Sequence, residues 1–274
     1  MSYHEFDELL GMMTQEGETH KVTLPEDWLQ GRTAFGGLSA ALCYEAAVRA
    51  GDDLPPLRSA QFAFIGPAAG ELTMTPTLLR RGKSAAYFGV DQIGEKGMAT
   101  RAMLCFGAER PSAVDHTDIP APQVPKAEEC RSLWPPMTPE EEAEAAKRPK
   151  SFGQHFEQLY AGGTRPFGDG KDPMIQLWIR HKDDVTASSM VRLVALADAM
   201  PAASFLLFPE RAPFSTMTWA IDVLTDDITC KSGWWLAESR AEATTHGYSA
   251  QKMTMWNDEG KPVLAMRQTV AIFI

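Results

Sequence analysis

The stretch Gly36–Ala50, GGLSAALCYEAAVRA, decides how the rest of the chain is read. Only Ser39, Glu45 and Arg49 in it are strongly polar, so apolar or small residues cover almost every face of the helix it would form. Gly51 follows where such a helix would stop. A helix that is apolar nearly all round is a buried one. Runs that read as strands come next, near 57–65, 71–80, 84–93 and 98–107, parted by turns such as Gly66-Pro67 and Gly94-Glu95-Lys96-Gly97. One buried helix followed by consecutive antiparallel strands implies a sheet curled around that helix.

The same order returns further along. Residues 109–150 are rich in proline and acid and read as a linker, with PPMTPEEEAEAAKRPK (135–150) as a short charged helix inside it. Beyond lie an apolar helix candidate near 198–207 and strand candidates near 214–224, 233–244, 248–257 and 261–273. Arg81-Gly82-Lys83-Ser84-Ala85 and His246-Gly247-Tyr248-Ser249-Ala250 fall at matching places between strands, their glycines 165 residues apart. A repeat of that size is a duplicated domain, because solenoid repeats run at roughly 20–50 residues. The expected organisation is therefore a unit over 1–108, the linker 109–150 and a second unit over 151–274.

Composition narrows the function classes. The 274 residues are 44% hydrophobic and 23% charged, within the range of globular proteins. A net charge of −10 gives no general attraction to nucleic acid or to an anionic membrane. Cys43, Cys105, Cys130 and Cys230 lack Cys-x-x-Cys spacing and read as reduced thiols, which points to the cytoplasm. Acids near the N-terminus, where a secretory signal carries Lys or Arg, imply no export, and no apolar run approaches the roughly 20 residues that span a bilayer. Nucleophile-elbow, Walker, Rossmann and His-Glu-x-x-His motifs are all missing, and the six histidines show no ligand-like pairing. Neither a metal nor a covalent nucleophile is implied.

Four segments in order carry a resemblance: Gly31-Arg32-Thr33-Ala34-Phe35-Gly36-Gly37 entering the first helix, Arg81-Gly82-Lys83-Ser84 between strands, Gln176-Leu177-Trp178-Ile179-Arg180, and Ala197-Asp198. Together they resemble the type II acyl-CoA thioesterase family, whose members fuse two hotdog units into a tandem pseudo-dimer. The resemblance implies an α+β double hotdog: two antiparallel sheets joined edge to edge, each wrapped around a long helix, with an acyl channel between the units. It implies an acyl-CoA substrate, no cofactor, and sheet surfaces of a kind that pair into a homo-oligomer. It also implies a hydrolytic trio on Asp198, Thr216 and Gln268. The chain departs from the family just after the threonine, where Thr218-Trp219 stands in place of an Asp-His pair.

Each residue also has a plain structural reading. Asp198, three residues before Pro201, reads as a helix N-cap. Gln268 is the one polar residue on the face formed by Leu264, Met266, Val270, Ile272 and Ile274, so its amide needs buried partners. Strict alternation puts Thr216 with Phe214, Thr218, Ala220 and Asp222, on the more polar face, where it reads as an ordinary strand residue, and Ser215 or Thr218 could take its role if a bulge shifts the register. Phe35, Gly36 and Gly37 are either a tight helix entry or amides facing substrate. Arg81, Gly82, Lys83 and Ser84 are either a solvated hairpin end or a phosphate-binding cluster. Two rivals remain open: a hydratase or dehydratase of acyl thioesters, which would use a His paired with an acid, and an acyl-CoA-binding protein without turnover.

Overall fold

The computed structural model describes residues 3–134, 136, 138–140, 151–166, 172–183, 188–208 and 212–273. A short helix α1 (Phe6–Gly11) leads into strands β1 (Thr14–Glu16), β2 (Thr19–Thr23), β3 (Leu29–Gln30) and β4 (Thr33–Ala34). Helix α2 (Gly36–Ala50) and strands β5 (Leu57–Phe64), β6 (Glu71–Arg81), β7 (Ala85–Gly94) and β8 (Gly97–Gly107) follow. The later part has β9 (Arg131–Ser132), β10 (Phe156–Gly163), β11 (Met174–His181) and helix α3 (Met190–Ala197). It closes with β12 (Phe214–Val223), β13 (Trp235–Thr245), β14 (Tyr248–Trp256) and β15 (Pro262–Ile272). The eight strands read from periodicity match β5–β8 and β12–β15 to within about two residues at each end.

Two antiparallel sheets joined edge to edge were expected, and the structure has one large continuous sheet. Its 13 strands run β1-β2-β6-β7-β8-β5-β12-β15-β14-β13-β11-β10-β9, with β3 and β4 forming a separate ribbon. The joint is β5 against β12, antiparallel from Ala63↔Thr218 to Ser59↔Asp222. Pairing there satisfies backbone groups that would otherwise face outward on two unprotected edges.

The second helix also differs from expectation. It is not a long helix over 198–207 but eight residues ending at Ala197, with Asp198 as its C-cap. Ser189 caps the start, its hydroxyl accepting from the Arg192 amide at 3.4 Å. Pro201 blocks continuation, since a residue before proline is pushed out of helical geometry, and only a 3-10 turn, Ala203–Leu207, forms beyond it. Asp198 is thus not an N-cap.

Helices α2 and α3 pack against each other inside the sheet, and their apolar faces form the main core. The C-terminal end of α3 meets the N-terminal end of α2. A Cβ on Gly37 would stand 2.5 Å from the Ala195 carbonyl oxygen, so only glycine admits this approach.

The described part of the stretch 109–134 packs on the sheet. Trp178 and Trp256 on the outer face donate their indole N–H to the carbonyls of Pro125 and Ile119, at 2.9 and 3.0 Å. With Ala127, Ala161 and Leu236 these two tryptophans form a second apolar cluster. Most of the charged helix expected over 135–150 lies outside the described residues.

Candidate active site

Position along the sheet explains how the candidate residues meet. On β15, Met266, Gln268, Val270 and Ile272 turn inward and are buried. On β12 the pairing with β15 shifts between Thr216↔Val270 and Thr218↔Thr269, so Met217 is an extra, bulged residue. The bulge reverses the face that alternation assigns to Thr216. Cross-strand partners share a face, so Thr216, opposite Val270, turns inward like Trp219, opposite Gln268.

Asp198 reaches the same place from the end of α3. Gln268 Nε2 donates to its Oδ1 at 2.5 Å, and the Gly37 amide at the start of α2 donates to it as well. A carboxylate is unfavourable at the C-terminus of its own helix, but this one also faces the positive N-terminal end of α2. Burial raises the Asp198 carboxyl from the ordinary 3.8 to about 7, against the lowering pull of Gln268 and the Gly37 amide. The side chain is only partly covered, yet its opening is onto a cleft rather than bulk solvent.

That cleft has a volume of about 1200 Å³. Asp198, Thr216, Gln268, Phe35 and Gly36 all line it. Apolar wall comes from Phe64, Phe205 and Phe214, and polar wall from Ser132, Gln158 and Lys182. Phe35 is almost wholly buried, stacked on Phe152 with ring centres 4.5 Å apart. No histidine lines the cleft among the described residues.

The hairpin Arg81-Gly82-Lys83-Ser84 is elsewhere. Arg81 donates to the carbonyls of Asp52 and Asp53, both at 2.9 Å, just past the C-terminal end of α2. A 15-residue helix is about 22 Å long, so this hairpin and Asp198 lie at opposite ends of α2. Thr218 and Trp219 do not line the cleft. Trp219 is 1% exposed and packs its ring 5.7 Å from that of Phe62. A smaller hollow of about 700 Å³ lies on the outer face of the sheet over the β5–β12 joint, beside the Asp91–Arg101 ion pair.

Sequence reasoning missed Gln158, Trp134 and Phe64. Gln158 carried a visible signal, since Phe156, Gln158 and Tyr160 alternate and only the middle one is polar.

Gly36 gives a direct test of the geometry. A Cβ there would meet Asp198 Oδ2 at 2.7 Å and Phe64 Cζ at 3.2 Å. Both are ends of side chains that yield, so Gly36→Ala should leave the melting temperature nearly unchanged while displacing the carboxylate. A shift of that kind costs about 10–100-fold in rate. Steady-state rates and thermal melts on the same preparations check both halves.

A single antiparallel sheet folded over two buried helices, with a cleft where the helix ends meet, defines a hotdog-type protein. Solved structures agree on the fold. A hot dog fold protein from Alicyclobacillus acidocaldarius superposes with a TM-score of 0.84 at 21% identity, over 96% of each chain. A candidate thioesterase II from Thermobifida fusca YX gives 0.81 at 17% identity, over 100% of this chain and 99% of that one. The acyl-CoA thioesterase II TesB2 of Mycobacterium marinum gives 0.71 at 15%, over 95% of each. The family is settled by sequence models: the acyl-CoA thioesterase N-terminal domain matches residues 24–107 and the C-terminal domain residues 127–272. The chain belongs to the acyl-CoA thioesterase family. No curated protein matches it significantly.

Proposed function

We propose that the protein hydrolyses an acyl-CoA thioester in the cleft, with Asp198 as general base. The observation that supports this best is a carboxylate lifted to about 7 and hydrogen-bonded to the one polar residue on an otherwise apolar strand face. A base works best when its pKa lies near the working pH. Family membership supports the thioester substrate, and the cleft volume holds both an acyl group and the arm that carries it.

In the mechanism, Asp198 takes a proton from a water that the Thr216 hydroxyl and the Gln268 amide oxygen orient. The water oxygen bonds to the thioester carbon, and the carbonyl becomes an oxyanion. The Gly36 amide, at the positive end of α2, stabilises that charge. Collapse breaks the C–S bond, and the proton held by Asp198 returns to the departing thiolate. Phe64, Phe205 and Phe214 offer the acyl group an apolar wall. Only the second unit supplies the trio. On β8, Ala102 stands opposite Phe62 as Gln268 stands opposite Trp219, so the matching position in the first unit has no amide and one productive site per chain is expected.

A dehydratase would need a histidine in the cleft, and none of the described lining residues is one. The test is release of free thiol from a panel of acyl-CoAs of differing length and branching. Turnover of at least one, unchanged by EDTA, is expected. Binding of acyl-CoA without thiol release would overturn hydrolysis, and loss of activity in EDTA restored by a divalent metal would overturn the carboxylate mechanism.

A further inference from the structure

Gln158 stands on the inward face of β10, opposite Ile179, which is fully buried. An amide in such a place needs partners. It has two. Its Nε2 donates to the carbonyl of Ala199, the residue after Asp198. Its Oε1 accepts from Trp134 Nε1 at 3.1 Å.

Trp134 lies just after β9, near the start of the part of the chain that the C-terminal family domain matches. That segment is fixed to the same residue through backbone as well: the Leu133 amide donates to the Gln158 carbonyl at 2.9 Å, and Ser132 pairs with Leu159. Ser132, Trp134, Gln158 and Ala199 all line the cleft beside Asp198.

The bond to Ala199 matters because of where α3 ends. Carbonyls past the last turn have no helical partner, so the Ala199–Met200 peptide, one residue beyond Asp198, depends on outside groups for its orientation. On one side the Ala199 amide donates to Leu196 at 2.9 Å. On the other its carbonyl is held by Gln158. Without that second hold the peptide can turn, and the carboxylate moves relative to Gly37 and Gln268. A displacement of about 1 Å at a reacting group costs on the order of 100-fold.

We propose that Gln158 is a positioning residue that keeps Asp198 aligned with Gly37 and Gln268, and that Trp134 acts through it. The inference rests on the reading of Asp198 as the base.

The experiment compares wild type with Gln158→Met, which keeps the length but has no donor, with Trp134→Phe, and with the double variant. Gln158→Met should lower kcat by about 10–100-fold with KM unchanged, because the carboxylate moves while the binding walls stay. Trp134→Phe should give a smaller loss of the same kind. The double variant should be no worse than Gln158→Met, since residues acting through one another do not add. Gln158→Asn, too short to reach both partners, serves if the methionine variant does not fold.

A second readout is independent of turnover: the Asp198 titration followed by carboxyl ¹³C NMR, assigned with Asp198→Asn. Asp198 meets Gln268 from β15 and Gly37 from α2, and among the described residues it has no ion-pair partner. Both bonds hold its carboxyl down, so the titration should move upward in Gln158→Met. Undiminished kcat in Gln158→Met, additive losses in the double variant, or an unmoved titration would each overturn the proposal. If wild type releases no thiol, the hydrolase reading fails by itself, and the NMR shift alone decides the positioning role.

Discussion

The rate should rise about 100-fold between pH 5 and pH 8, because kcat/KM follows the ionised fraction of a base that titrates near 7. The acid limb should have unit slope and level off above the Asp198 value. Asp198→Asn should flatten it, whereas a limb belonging to another group would persist. Stability should run the other way. The folded-state value of Asp198 is raised, so the stability that its protonated form contributes is complete below the unfolded value near 3.8 and is lost as pH rises through about 7. A shift of roughly three units sets a ceiling of about 4 kcal/mol on that loss. Steady-state rates and thermal melts over the same pH series test both trends. A rate independent of pH from 5 to 8 would remove Asp198 as the base.

Periodicity made the strands legible because the sheet is half-buried along most of its length. On β15 the alternation from Leu264 to Ile272 is unbroken, and it exposed Gln268 as the odd residue. The same rule failed on β12. One bulged residue, Met217, changes the face of everything before it, and no local residue type announces a bulge. The apolar character of α2 was plain, but that of α3 was obscured because the apolar run passes from Met190 through Asp198 to Phe208, and the break at Pro201 was taken for a helix start. The error also put Asp198 at the wrong end of a helix.

Other features lay outside local sequence altogether. That Asp198 meets Gly36 and Gly37 depends on two helix ends more than 140 residues apart in the chain being brought together, and the paired glycines showed only that something must approach closely. The joining of two expected sheets through β5 and β12 is likewise a pairing of distant edges. Residues 109–150 read as a linker from their prolines and acids. Pro125 and Ile119 instead lend carbonyls to two tryptophans, a role that composition does not reveal.

The most direct test of the account is Asp198→Asn, measured for turnover and stability together on an acyl-CoA that wild type hydrolyses. Asparagine keeps the shape and can still accept from Gln268 Nε2, but it has neither charge nor basicity. Turnover should fall by about 10²–10⁴-fold, the usual contribution of a positioned acid–base group. Because Asp198 closes α3 at its C-terminus, the change forfeits no N-cap, and it removes a carboxylate that burial disfavours. The melting temperature at pH 8 should therefore rise. A variant with near-normal turnover would contradict the account, since Asp198 would then be no more than a residue at the end of a helix.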